Sequence, residues 1–377
     1  MQNVKDILIG KIGKKGKITF AEFMSTALYH PEYGYYNTNT KRVGKHGDYY
    51  TSPTVHAVFG ELIAKQLEEM WSIMGKGVFT VVEMGANAGW LCYDIMRCIM
   101  KEFQQLYEQI QYIIVESNSY ATEKQRLLLN PLGLAEEKVS WHTYTKSGFS
   151  FDSIQGCFLA NEFIDALPVH RYTVKKGIFN EIFIGYNGVN FCEIENEVFL
   201  QTFSNYLKEN FIHLEENQRF EINFDAAIWL KHVAEKLTKG FIITIDYGDT
   251  ADRIYGGNYK EGTLRCYYKH TVNQDYHERP GQQDITAHVD FTHMMKAGEE
   301  ADLHVTGFTK QGHYLIALGI LERLNKTGND VNTILKAKNL FHPEGMGDIF
   351  KILIQHKNIE NPRLSGFRPL SSVNLEA

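Results

Sequence analysis

Phe79-Thr80-Val81-Val82-Glu83-Met84-Gly85-Ala86-Asn87-Ala88-Gly89 carries an apolar, β-branched run into an acidic residue and then into small residues just where a helix begins. Such a passage reads as the first βα turn of a nucleotide-binding sheet. Gly85 allows a sharp backbone turn beside a ligand, and Gly89 allows the next helix to pack close. From Trp90 through Leu106, the residues Leu91, Ile95, Ile99 and Phe103 recur at helical spacing and predict that helix. The spacing E-x-G-x-x-x-G departs from the dinucleotide fingerprint, because Asn87 stands where a second glycine would let the backbone approach a pyrophosphate. Asn is the best non-glycine residue for a left-handed turn. The pattern suits a nucleoside whose tail is an amino acid, which points to S-adenosylmethionine, with Glu83, Gly85, Ala86 and Gly89 as its contacts. Taken alone, the stretch is equally an ordinary strand, turn and helix of any α/β protein.

A second apolar strand, Gln111-Tyr112-Ile113-Ile114-Val115-Glu116, places Glu116 and then Ser117 at its carboxyl end, roughly 30 residues on, the length of one βαβ unit. A carboxylate there can accept hydrogen bonds from both ribose hydroxyls. A solvated loop acid is the plain alternative.

The 377 residues suffice for one large α/β domain with additions, or for two domains. A net charge of -6 and a pI near 6.2 argue against nonspecific nucleic-acid binding and leave a basic protein substrate open. Cys92, Cys98, Cys157, Cys192 and Cys266 lack CxxC spacing, so they indicate neither a zinc site nor a disulfide framework. No apolar run reaches the length of a membrane span, and no signal-peptide core follows Met1. The lysines of the opening residues are interrupted by Asp6 and joined by no arginine, a poor fit to a mitochondrial presequence, so the expected address is the bacterial cytoplasm.

Residues 1–75 are expected to form a helical and aromatic cap. Thr19 can cap a helix carrying Phe20, Phe23, Met24 and Leu28, and the aromatic turn Tyr29-His30-Pro31-Glu32-Tyr33-Gly34-Tyr35-Tyr36 follows. A helix from about Val58 to Met74 then leads to the first strand. Residues 76–377 are expected to form the α/β domain. Its third strand is read at Val139-Ser140-Trp141-His142-Thr143-Tyr144, its fourth at Gly156-Cys157-Phe158-Leu159-Ala160 and its fifth at Phe241-Ile242-Ile243-Thr244-Ile245-Asp246-Tyr247-Gly248. The gap before the fifth strand exceeds a typical crossover, and turns at Lys176-Gly177 and Asn187-Gly188 predict hairpins, so 171–224 is read as an inserted antiparallel subdomain. The polar stretch 249–283 is too long for a plain connector. A helix from about Val289 to Glu300, a strand around Leu303 to Phe308, a helix from about His313 to Leu324 and a strand from Ile349 to Gln355 complete the reading.

Several long blocks are unusual. They are Leu28-Tyr29-His30-Pro31-Glu32-Tyr33-Gly34-Tyr35-Tyr36, Gly47-Asp48-Tyr49-Tyr50-Thr51-Ser52-Pro53, Asn161-Glu162-Phe163-Ile164-Asp165-Ala166-Leu167-Pro168, Ile245-Asp246-Tyr247-Gly248, Pro280-Gly281-Gln282-Gln283-Asp284-Ile285-Thr286-Ala287-His288-Val289-Asp290-Phe291 and Met346-Gly347-Asp348-Ile349-Phe350-Lys351. Together, and in this order from Thr19 to the last strand, they resemble the MidA family of class I S-adenosylmethionine-dependent methyltransferases. The resemblance implies an α/β fold: a Rossmann-like class I methyltransferase sheet with an N-terminal cap segment and an inserted antiparallel subdomain. It also implies methylation of a protein arginine, since mitochondrial members modify a core subunit of respiratory complex I. The family's first loop is usually E-x-G-P-G-x-G, and this chain departs from it at Ala86 and Asn87.

A guanidinium is a poor nucleophile because its charge is delocalised and its proton tightly held. Carboxylates that grip it can localise that charge on the unreactive nitrogens, so paired acids are the expected signature. Glu162 and Asp165 follow the fourth strand three residues apart, so one helical turn would bring both to the same side. Asn161 could hold the methionine amino group or the acceptor nitrogen. The plain alternative is a strand-end cap, with Asn161 or Asp165 satisfying helix amides. Gly47, Thr51 and Ser52 are read as closing over the cofactor, or else as a surface turn. Tyr247 could wall the acceptor pocket or merely pack, and His170 and His270 could accept a proton or be structural. His288 and His293 invite a metal reading, but five residues apart on a helix they face different sides. The expected partner is a protein bearing the acceptor arginine. The oligomeric state is open, a homodimer included. Methylation of a small amine or hydroxyl compound, and a noncatalytic assembly factor, are the competing functions.

Overall fold

The computed structural model describes residues 3–38, 48, 51–134, 136–326 and 331–372. The chain divides into two compact units, Met1–Tyr49 with Ile164–Ile228 and Gly248–Met294, and Tyr50–Phe163 with Trp229–Tyr247 and Met295–Ala377.

The second of these units contains the main sheet. Its strands are β1 (Phe79–Met84), β2 (Ile110–Val115), β3 (Val139–His142), β4 (Ile154–Asn161), β5 (Leu237–Asp249), whose last two residues fall in the other unit, β6 (His304–Lys310) and β7 (Phe350–Lys357). They lie in the order β3-β2-β1-β4-β5-β7-β6. All neighbours are parallel except β7, which runs antiparallel to both β5 and β6. Every residue of β1 is buried, as expected of a central parallel strand covered on both faces. Because the chain runs from β1 outward to β2 and β3 on one side and then crosses to β4 on the other, the strand order reverses at β1, and ligands of open α/β sheets bind at such a switch point.

Helices α1 (Val58–Ile73) and α2 (Trp90–Glu102) bury Phe59, Ile63, Leu67, Leu91, Ile95 and Ile99 in the core of this sheet. The helix expected to reach Leu106 breaks at Phe103 (φ -128°, ψ 58°) and resumes at Gln104–Gln109. Likewise, the helix expected from His313 to Leu324 is two helices, Gln311–Leu318 and Ile320–Lys326. Between them Gly319 takes φ 94°, a conformation that stops a helix.

The other unit holds an antiparallel sheet of Ile18–Thr19, His170–Lys175, Ile178–Tyr186, Phe191–Glu197 and Arg219–Ile222. The Lys176-Gly177 turn joins Lys175 to its partner Ile178 with φ 51° and 72°, the two left-handed residues that a two-residue hairpin needs. Thr19 caps helix Phe20–Tyr29 by accepting the Glu22 amide. Residues 171–224 contain a helix, Gln201–Glu209, beside these strands. Within the polar stretch, Arg265–Tyr268 and Thr271–Asn273 build a small sheet with Asp284–Thr286. The expected helix from Val289 begins only at Phe291. Val289 and Asp290 instead pair with Gly248 and Asp249, and Asp290 accepts the His293 amide at the helix start.

Candidate active site

The carboxyl ends of β2, β1, β4 and β5 are adjacent by register, Val115 opposite Met84, Met84 opposite Ala160 and Asn161 opposite Ile245. The residues following these strands therefore share one edge of the sheet. After β1 the chain turns through three left-handed residues, Gly85 (φ 60°), Asn87 (φ 50°) and Gly89 (φ 87°), so Asn87 adopts the conformation expected of it. The Gly85 amide donates to the Val115 carbonyl at 3.0 Å, tying the turn to β2, and the Gly89 amide donates to Ala86 O at 2.8 Å. A Cβ on Gly85 would meet one atom within 4 Å, Cδ2 of Phe163 at 3.4 Å, whereas a Cβ on Gly89 would come within 3.1 Å of Gln125. The Glu83 side chain lies inside the fold, where its carboxylate accepts the Tyr112 hydroxyl at 2.7 Å. Burial pushes Glu83 up to about 7 against the pull of that hydrogen bond, with a smaller push from the Glu116 charge.

Beyond β2, Glu116 folds back over its own loop. Oε1 accepts the amides of Ser117 and Asn118 at 2.9 and 3.0 Å, and Oε2 accepts Nε2 of Gln125 at 3.2 Å. Asn118 then caps helix α3 (Ser119–Leu129) through the amides of Tyr120 and Ala121.

At the end of β4, Glu162 takes φ 52°, a strained conformation for a non-glycine residue. Its amide donates to Ile245 O, and its Oε1 accepts both the Ser52 amide at 3.0 Å and Asn161 Nδ2 at 3.2 Å. Because Nδ2 faces the carboxylate, Asn161 Oδ1 points away from it. That oxygen is buried and finds no hydrogen-bond partner among the described residues. An orphaned buried acceptor costs about 1–3 kcal/mol, and a ligand with an N–H donor would offset it. Next to it, the Phe163 amide donates to the buried carboxylate of Asp246, which also accepts the Tyr247 amide. Thr51 caps the short helix Ser52–Val55, and the Ser52 hydroxyl reaches Gln311 Oε1 at 3.3 Å. Gly47 lies outside the described residues.

The expected helical turn carrying Glu162 and Asp165 does not form. Left-handed Glu162 ends the strand instead, Asp165 sits buried in a following turn, and the two belong to different units. Asp165 O accepts the Ala287 amide. Tyr247 packs its ring on Phe350 with centroids 4.2 Å apart, and His170 pairs with Glu181. The reading of the sequence missed Tyr112, Gln125, Phe163 and Gln311. A polar residue four before Leu129 on the buried face of α3 is the one signal that could have revealed Gln125.

A family model of S-adenosyl-L-methionine-dependent methyltransferases matches residues 62–309. The protein arginine methyltransferase NDUFAF7, mitochondrial, of Rattus norvegicus is 28% identical over 396 residues, covering 93% of this chain and 84% of the relative. That of Bos taurus is 30% identical over 383 residues, 92% and 81% of the two chains. A crystal structure from Burkholderia thailandensis bound to S-adenosyl-homocysteine superposes with TM-score 0.88 at 25% identity, covering 97% of this chain and 94% of that one. The sheet order, the glycine turn at the switch point and these matches agree, and the chain belongs to the MidA-like family of S-adenosylmethionine-dependent methyltransferases.

Proposed function

We propose that this methyltransferase modifies an arginine side chain of a protein client, a respiratory-complex subunit being one such client, and that Glu162 is the residue that engages the guanidinium. The observation carrying this reading is the Glu162 carboxylate, held at the end of β4 by a strained backbone and by the Ser52 amide. Strain of this kind persists where surrounding contacts overdetermine it, and it clusters at functional sites. The names of relatives matching over 90% of the chain support the acceptor class.

The cofactor supplies the sulfonium methyl group, so the protein's task is alignment and electrostatics. Glu116 and Ser117 take the ribose. In the turn of Gly85, Ala86 and Gly89, Gly85 leaves the backbone open beside the nucleoside, and buried Glu83, just before it, is tied to β2 through Tyr112. Asn161 Oδ1 receives an N–H from the methionine end or from the acceptor. Ser52 fixes Glu162 through its amide, and Thr51 caps the short helix that carries Ser52. The negative charge of Glu162 would hold the guanidinium charge on the unreactive nitrogens and so leave the remaining nitrogen oriented for methylation.

The test is incubation of the purified protein with isotope-labelled S-adenosylmethionine and lysate of its own source, with mass spectrometry of the products. Labelled protein arginine is expected. Label in a small metabolite alone would overturn the arginine acceptor, and no label despite cofactor binding would favour a noncatalytic assembly role. In the same assay Glu162→Gln should lower transfer far more than cofactor affinity, because its contact forms with the acceptor. Unchanged transfer with lowered stability would make Glu162 a structural cap.

A further inference from the structure

We propose that Gln125 is a positioning residue of the cofactor site, its amide locking the loop after β1 to the carboxylate after β2. The proposal rests on the reading of Glu116 as the ribose-binding group.

Helix α3 presents Gln125 and Leu129, four residues apart, on its buried face, and Gln125 is completely shielded from solvent. Its Nε2 donates to the carbonyl of Asn87 at 2.8 Å and to Glu116 Oε2 at 3.2 Å, while Oε1 accepts the indole N–H of Trp141 at 2.9 Å. A carboxamide offers two N–H donors and a carbonyl acceptor. Here the two donors face a carbonyl and a carboxylate, which accept, and the carbonyl faces an indole, which only donates. One orientation of the amide satisfies all three, and the flipped one satisfies none. Trp141 sits on β3 beneath the guanidinium of Arg126, 3.8 Å from its ring centroid. The amide thus joins groups that follow β1 and β2 to one within β3.

Two of the three partners lie in the loops assigned to the nucleoside. Asn87 is left-handed, a conformation that Asn tolerates, and its carbonyl is the group that Gln125 grips, so the amide adds a tertiary restraint to that turn. The close approach of α3 depends on Gly89, where a Cβ would stand 3.1 Å from Gln125 Cγ. Leucine of similar size at 125 would release Asn87 and Glu116 together and strand the Trp141 N–H.

Calorimetric titration of the full chain with S-adenosylhomocysteine tests this without any turnover. Gln125→Leu is expected to weaken binding about tenfold, the scale of losing a hydrogen bond to a charged group. That loss should shrink in a Glu116→Ala background, where the Asn87 bond is all that the amide still holds of the site. Trp141→Phe, which frees the amide to flip, should weaken binding about threefold, and it decides the matter alone if Gln125→Leu fails to fold. Wild-type affinity in both variants, or equal losses with and without Glu116, overturns the proposal. Glu116→Ala binding as wild type would instead overturn the ribose assignment beneath it.

Discussion

Replacing Glu83 by Gln should remove a pH dependence of stability that the fold itself creates. The carboxyl group is 3% exposed, with the Tyr112 hydroxyl 2.7 Å away, and burial moves its titration from an ordinary 4.5 to about 7. Below pH 4.5 it is neutral in both folded and unfolded chains. As pH rises from there, the unfolded chain ionises Glu83 while the folded chain keeps the proton. The native state then binds more protons, so stability falls with rising pH and levels off above about 7. At about 1.4 kcal/mol per pH unit, the interval amounts to about 3 kcal/mol. Gln has no such proton to lose and can still accept from Tyr112. Urea unfolding of both proteins from about pH 4.5 to 8 isolates the effect, because the other titrating groups cancel in the difference. The Gln variant should match wild type at the acid end and exceed it by about 3 kcal/mol at the alkaline end. A difference that is flat with pH, or that favours wild type as pH rises, would refute the assignment of a buried, protonated Glu83.

Gly89→Ala should lower the melting temperature and weaken S-adenosylhomocysteine binding. Its Cβ would enter a left-handed residue 3.1 Å from Gln125, a combination costing about 1–3 kcal/mol; an unchanged melt would show that α3 gives way. Lys176→Asn, in the left-handed first position of a hairpin turn, should raise stability by about 0.5–1 kcal/mol with cofactor affinity unchanged, read by thermal melting and calorimetry. A drop in stability would mean that the lysine side chain holds the turn.

Much of the sheet was legible because its strands are short apolar runs bounded by glycines and acids. The run Phe79 to Met84 and the small residues after it predicted a strand, a left-handed turn and a helix, and the structure has all three. The hairpin turns were equally local, since Gly177 and Gly188 take positive φ. Helix ends were less legible. Leu91 to Phe103 keep helical spacing, yet the helix breaks at Phe103, because periodicity records which side is apolar and not where the backbone stops. The Val289-Asp290 pair was read as helix for the same reason, its strand partner Gly248-Asp249 lying some 40 residues earlier.

The sequence by itself determined the strand-turn-helix at Gly85, the acid at the end of β2 and the Asn161-Glu162 strand end. These follow from φ preferences and apolar spacing, which act within a few residues. Only the tertiary structure decided what those residues touch. Ser52 reaches Glu162 across 110 positions, Tyr112 reaches Glu83 across 29, and Gln125 reaches Asn87 across 38. Such contacts depend on strand register and on the approach of helices over the sheet. At the end of β4 the left-handed Glu162 closes the strand, and Asp165 falls in a following turn where the spacing had suggested a helical one.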